Sequence, residues 1–215
     1  MMTKNVTFGS VKSTDYDLAL TGCEISPPKL KKTLIDVPGR QGSLDLSEAL
    51  CGRTYENRSI KCTFARKGDA RSAETIAKVE EFVQKVHGKY IKHIMIDGFD
   101  GYYTGRCECE VAYGEGKTEV VVTVDAYPYR QKDVTLEPIT FTDSYTGTFA
   151  NKTAPAFLKI TSSAAFKITM NGVETSLGAV TDYQSSIRLE PGNNDYTLTA
   201  SGACTVSFSY VSGVL

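Results

Sequence analysis

The stretch Val37-Pro38-Gly39-Arg40-Gln41-Gly42-Ser43-Leu44-Asp45-Leu46-Ser47-Glu48, followed by Tyr55-Glu56-Asn57-Arg58, decides how the first half of the chain is read. Pro38 fixes its φ at about −65°, and Gly39 is free to take the positive φ that a type II turn requires next. Gly42 interrupts the chain again. Leu44 and Leu46 then alternate with Ser43 and Asp45, the pattern of a half-buried strand. Together these signs predict a hairpin arm of mixed charge. Its outgoing side lies in residues 29–36, where Leu30, Leu34 and Ile35 mix with three lysines. A glycine turn beside Arg40 also suits a phosphate cradle. The chain has no G-x-x-x-x-G-K-[ST], however, and no helix begins here to present its N–H groups.

Outward from the arm the signals are mostly those of strands. Val6-Thr7-Phe8 and Asp17-Leu18-Ala19-Leu20-Thr21 read as short strands, and Pro27-Pro28 ends regular pairing because neither residue donates to a ladder. From Asn57 to Ala65 the apolar residues Ile60, Cys62 and Phe64 fall two apart, as on a strand with one buried face. Over about 70–87 the period changes. Ile76, Val79, Phe82, Val83 and Val86 recur at three- and four-residue steps and predict one packing helix, with Asp69 or Ser72 at its start and Gly88 at its stop. Strands follow at 90–96, 102–111 and 118–126. The whole describes an α+β domain ending near Tyr127-Pro128-Tyr129-Arg130.

The composition then shifts. Of residues 134–215, 10 of 82 are charged, against 39 of the preceding 133. Alternating strands are expected at 157–161, 166–170, 186–189, 196–199 and 206–210. Asn171-Gly172 is the signal of a type I′ hairpin, and Pro191-Gly192-Asn193-Asn194 of a further turn. Short strands with regular turns predict a small β-sandwich. The expected division is 1–133 and 134–215.

These residues also carry a resemblance. Val37-Pro38-Gly39-Arg40-x-Gly42-Ser43-Leu44-Asp45-Leu46, then Tyr55-x-Asn57-Arg58 opening a strand, resembles the distal tail (Dit) proteins of long non-contractile-tailed phages and prophages. The pattern Asn171-Gly172, Leu189 to Thr199 and Val206 to Tyr210 resembles their galectin-like C-terminal domain. The resemblance implies a mainly β protein: a β-sandwich with one helix and a protruding β-hairpin arm, then a small galectin-like sandwich. It implies a structural virion protein of the tail hub or baseplate, with no catalytic residues, cofactor or metal. Six N-terminal domains would close into a ring that joins the tail tube to the host-recognition apparatus. Expected partners are the tail tube protein, a tail-tip or tail-associated lysin protein and receptor-binding proteins. DNA would pass through the lumen without specific binding, and assembly would occur in the bacterial cytoplasm with the phage tail as destination.

The residues expected to reach a neighbouring subunit are Pro38, Gly39, Arg40, Gly42, Ser43, Leu44 and Asp45, with Arg40 and Asp45 as charge partners across the interface. A ring of identical subunits needs a heterologous contact whose rotation closes, and an exposed strand pair suits one. The alternative is a carbohydrate-binding β-sandwich module for a host cell-wall saccharide, with Tyr183, Tyr196 and Tyr210 as its aromatic residues. Core packing is the competing role for Tyr196 and Tyr210, which sit in alternating strands.

Other chemistry finds little support. The formal net charge is −1, so no general electrostatic attraction to nucleic acid exists. Residues 1–9 contain no apolar signal segment, and no run of about 20 apolar residues occurs, so a soluble, cytoplasmically made protein is expected. The six cysteines, Cys23, Cys51, Cys62, Cys107, Cys109 and Cys204, contain no C-x-x-C and are expected as free thiols. His87 is expected to cap a helix end, His93 lies in a strand without a nucleophile motif, and Glu80 and Glu81 form a solvated helix face. Asp97-Gly98-Phe99-Asp100-Gly101 lacks the ligand spacing of a calcium loop and is expected to be a turn.

Overall fold

A computed structural model describes residues 5–49, 52–151 and 154–215. Cys51 and the first four residues of the N-terminal segment lie outside the described residues. The chain parts into two compact units between Arg130 and Gln131. In the first, β1 (Val6–Phe8), β2 (Val11–Lys12) and β3 (Ala19–Ile25) lead into a short strand pair, β4 (Leu34–Ile35) and β5 (Leu44–Asp45). Then come β6 (Arg58–Lys67), α1 (Ala73–Val86), β7 (Tyr90–Ile96), β8 (Tyr103–Tyr113) and β9 (Lys117–Ala126). Apart from β4 and β5 these strands form one antiparallel sheet in the order β2-β1-β7-β8-β9-β6-β3.

That sheet is curled. Laid flat, β1 and β6 would stand four strand spacings apart, about 19 Å. Instead the rings of Phe8 and Phe64 meet at 6.2 Å, and Phe82 of α1 lies 5.9 and 6.2 Å from them. Two halves of one sheet therefore face each other around Phe82, which gives a sandwich-like core from a single sheet. Ile60, Cys62 and Phe64 of β6 and Val120, Val122 and Val124 of β9 are all fully buried there, as their alternation requires. Burying side chains of this size contributes about 2 kcal/mol each before entropy is subtracted.

Two elements differ from the sequence reading at their edges. The strand expected from Asp17 begins at Ala19, because Ser13–Tyr16 wind into a 3-10 turn and Asp17 takes a left-handed φ of 57° to leave it. The helix begins at Ala73, not residue 70. The Asp69 carboxylate accepts the Arg71 N–H at 2.9 Å in a local turn, and the Ser72 hydroxyl then caps the helix by accepting from the Thr75 N–H at 3.2 Å. Val79, Phe82 and Val86 are buried, with Ile76 and Val83 half-buried beside them.

The second unit is a two-sheet sandwich. Its strands are β10 (Arg130–Thr135), β11 (Ile139–Phe141), β12 (Ser144–Asn151), β13 (Ala156–Ser162), β14 (Phe166–Met170), β15 (Val173–Leu177), β16 (Val180–Leu189), β17 (Gly192–Thr199) and β18 (Cys204–Val214). One sheet runs β10-β18-β13-β16 with β11 also on β18, and the other runs β12-β17-β14-β15. Between them, Phe149 stacks on Tyr196 at 4.1 Å and meets Phe208 edge-on at 5.1 Å. The Tyr210 hydroxyl donates to the Ala150 carbonyl at 3.1 Å, tying β18 to β12 across the core. Asn171 and Gly172 both take positive φ, 51° and 78°, in the two-residue turn between β14 and β15. Pro191 carries the chain from one sheet to the other, and β17 already starts at Gly192, so Asn193 and Asn194 lie in a strand. The buried Asn194 side chain explains this. It accepts the Glu190 N–H at 2.9 Å and donates to the Glu190 carbonyl at 2.8 Å, clamping the crossing while its backbone pairs with Phe149.

A candidate assembly surface on the arm

The arm continues the β3–β6 ladder beyond the sheet. Glu24 pairs with Lys61 and Ile25 with Ile60, and the same register runs on through Ser26 to Ser59, Leu30 to Tyr55 and Lys31 to Thr54. Pro27 and Pro28 interrupt the bonding for two residues, since they have no N–H to give. Past Lys31 the register jumps. Leu34 pairs with Asp45 and Ile35 with Leu44, while the Leu46 N–H donates to the Thr33 carbonyl at 2.8 Å.

The tip is built as its residues dictate. The Arg40 N–H donates to the Val37 carbonyl at 3.1 Å, closing a four-residue turn with Pro38 second and Gly39 third at φ 80°, which is type II. Below it, Ser43 Oγ donates to Asp36 Oδ1 at 2.6 Å. The Thr33 N–H donates to Ser47 Oγ at 2.8 Å, and the Ser47 N–H to Asp45 Oδ1 at 2.9 Å. The Ser47 hydroxyl and amide together hold the Asp45 carboxyl below the usual carboxylate range. Arg53 and Glu48 form an ion pair of 3.0 Å on the return side.

Pro38, Gly39, Arg40, Gly42, Ser43 and Asp45 are all exposed on this arm, and Leu44 is half-buried. The Arg40 side chain makes no hydrogen bond or ion pair with the described residues of its own chain. Asp45 is engaged locally by Ser47. The sequence reading missed the arm's apolar side: Leu34, Ile35 and Val37 are 54%, 46% and 40% exposed. The signal was present as three large aliphatic residues in a lysine-rich run, yet lysine spacing gave no face to assign them to.

The Tyr55-Glu56-Asn57-Arg58 segment roots the arm. Arg58 is buried with its guanidinium 5.9 Å above the Tyr103 ring, and Asn57 Nδ2 donates to Asp125 Oδ2 on β9 at 3.1 Å. Tyr55 meets Tyr129 edge-on at 5.9 Å. These are anchoring contacts, which leave the arm beyond them projecting from the sheet.

The other singled-out residues are scattered. Among the described residues no group of three or more His, Cys, Asp and Glu could hold a metal ion, and no helix is long and apolar enough to cross a membrane. His87 stands at the helix end, but its Nδ1 accepts the Cys109 N–H at 2.9 Å, so the ring serves β8 and does not cap the helix carbonyls. His93 is exposed beside Tyr102, with ring centroids 4.4 Å apart. Glu81 pairs with Lys85 at 2.7 Å on the exposed helix face. Asp97 Oδ2 accepts the Asn5 N–H at 2.8 Å beside the turn at Gly98. Of the three tyrosines offered for sugar, Tyr196 and Tyr210 are buried and only Tyr183 is exposed.

No protein-family model matches the chain, and no curated protein does. A solved structure matches it over the full length: that of the SPP1 Dit protein (gp 19.1), a paradigm of hub adsorption apparatus in Gram-positive infecting phages. The match covers 100% of this chain and 100% of that one, with a TM-score of 0.71 at 14% sequence identity. This chain has the Dit fold. The Dit fold here takes in both units, the curled sheet with its arm and the two-sheet sandwich, in one continuous match. It is reached at an identity where few of the side chains are shared, so what the two chains have in common is the arrangement of strands.

Proposed function

We propose that this chain is a structural hub protein of a phage tail, whose first units close into a ring between the tail tube and the host-recognition apparatus. The observation that carries this reading is the full-length Dit fold. The arm supports it: a two-stranded hairpin that leads off an edge strand, exposes three aliphatic side chains and carries an Arg40 side chain unpaired among the described residues. In a ring, Leu34, Ile35 and Val37 would bury against the next subunit while Arg40 and Asp45 paired with its charges. Six copies are the stoichiometry this reading adopts, with the tail tube and tip proteins as axial partners.

The test is the mass of the purified chain in solution by light scattering, with negative-stain images of the same peak. A closed six-membered ring is expected. Reversing Arg40→Glu or Asp45→Arg alone should weaken the ring, and the two reversals together should restore it. A monomer at every concentration, with or without a tail tube partner, overturns the reading.

A second reading, a saccharide-binding module, has one observation in its favour. The outer face of β12, β17 and β14 holds a polar groove of about 480 Å³ lined by Thr146, Thr148, Thr169, Asn171, Asp195 and Thr197. A cell-wall saccharide array probed with the intact chain tests it. Binding that is lost in Asp195→Ala while the oligomeric state is unchanged would favour this groove.

A further inference from the structure

Five cysteines are described, and two of them face each other. Cys23 on β3 and Cys62 on β6 are direct cross-strand partners, with their sulfurs 3.8 Å apart. The bonding pattern fixes which kind of site this is. The Ser26 N–H donates to the Ser59 carbonyl, so hydrogen-bonded pairs fall at Ser26 with Ser59 and at Glu24 with Lys61. Alternation then places Cys23 and Cys62 at a non-hydrogen-bonded pair. There the Cα atoms of an antiparallel ladder stand about 4.5 Å apart and side chains approach most closely. That separation lies inside the range a disulfide spans, roughly 4.4–6.8 Å, so no strand needs to move and only the side chains must turn.

The two thiols also differ in access. Cys62 is fully buried between Ile60 and Phe64, whereas Cys23 on the edge strand is half-exposed. The contact with Cys62 favours the Cys23 thiolate and lowers its pKa, and the same contact with burial raises that of Cys62. No other described cysteine is placed this way. Cys107 and Cys109 are two apart on one strand, both held up at about 12 by burial. Cys204 is buried with its thiol directed at the Ala164 carbonyl, 3.6 Å away.

We propose that Cys23 and Cys62 are an oxidisable pair that closes to an intrachain disulfide when the protein meets a small disulfide oxidant. The Cys23 thiolate attacks one sulfur of oxidised glutathione, forms a mixed disulfide and expels one glutathione thiolate. The Cys62 sulfur then attacks Cys23, forms the Cys23–Cys62 bond and expels the second glutathione. Two protein thiols are oxidised, one glutathione disulfide is reduced to two thiols, and the two protons end on the released glutathione. The loop this bond closes runs from residue 23 to residue 62 and contains the whole arm. Oxidation therefore staples both roots of the arm to the sheet and secures its β3 edge. The inference stands on the ladder geometry and holds whether or not the chain forms a ring.

The experiment treats the intact chain with oxidised glutathione, blocks remaining thiols with N-ethylmaleimide and maps peptides without reduction. The expected product is a linked pair of peptides carrying Cys23 and Cys62, two hydrogens lighter than the reduced pair. Cys62→Ala should stop at the glutathione adduct on Cys23, and Cys23→Ser should leave Cys62 unmodified. The oxidised wild type should melt about 5–10 °C higher than the reduced form, a gain that dithiothreitol and Cys23→Ser both abolish. A protein that keeps all its thiols overturns the proposal. So does one that links a different pair, or one in which Cys23→Ser gains as much from oxidation as the wild type.

Discussion

The chain contains two hairpins built on opposite terms. β14 and β15 pair through five residues around an Asn-Gly turn, and Phe166, Ile168 and Met170 point from β14 into the sandwich core. β4 and β5 pair through two residues around a Pro-Gly turn and bury no large side chain fully. The first is held by what lies beneath it. The second is held by its own short polar bonds, at Thr33, Asp36, Ser43 and Ser47, and an isolated two-stranded hairpin is marginal in water. The exposed Leu34, Ile35 and Val37 add little to the stability of the free subunit, which is what the proposed contact with a neighbour would use.

The largest difference should appear when a β-branched side chain is cut back at the equivalent place in each. Ile168→Ala removes a buried side chain and should cost about 2–5 kcal/mol in denaturant unfolding of the second unit. Ile35→Ala, on a residue 46% exposed, should cost within about 0.5 kcal/mol in the free subunit. A large loss at Ile35 would break the contrast, showing the arm packed in the free chain.

The two turns should suffer a similar local cost and show it differently. Gly39→Ala and Gly172→Ala each force a side chain into the left-handed region, at φ 80° and 78°, for about 1–2 kcal/mol. For Gly172 that loss should appear in global unfolding. For Gly39 it should appear as faster amide exchange at Arg40 and Leu46, with the melting curve hardly moved.

Leu34→Ser with Ile35→Ser sharpens the comparison further. The unfolding midpoint of the subunit should stay within experimental scatter, and the fraction of assembled protein should fall at a fixed concentration. Unchanged assembly would remove the aliphatic face from the interface.

The smallest effect concerns pH. Asp45 has its carboxyl pKa lowered by Ser47, so this bonding is intact above the ordinary carboxylate range. It is lost as pH falls below about 4 and through the lowered value. The Ser47 amide resonance should titrate in that acidic window, and in Asp45→Asn it should not.

How legible these features were depended on how local their causes are. The Pro38-Gly39 and Asn171-Gly172 turns were readable because each is decided by two residues and their allowed φ. Strands such as β6 and β9 were readable because one face is buried and the period of two survives along them. The curl of the first sheet was not, since it rests on Phe8, Phe64 and Phe82 meeting from positions far apart in sequence. The Asp17 boundary was lost to a left-handed residue that no pattern marks, and the His87 ring to a strand partner 22 positions away. On the arm, the seven named residues fall where the hairpin puts them. The apolar face beside them needed the register of β4 against β5 before it could be seen.

The strand order also governs how this protein can be made. β1 finds its partner in β7, with Val6 opposite Ile96, and the aromatic partners of Phe8, Phe82 and Phe64, come from α1 and β6. At translation rates of about 5–20 residues per second, Val6 and Phe8 wait roughly 5–20 s on the ribosome before their strand can dock. The second unit has a wait of the same kind, because β18 is an inner strand that β10, β11 and β13 all need. Both units thus stay open at an unpaired strand for much of synthesis, and slowing translation should lower the yield of folded protein.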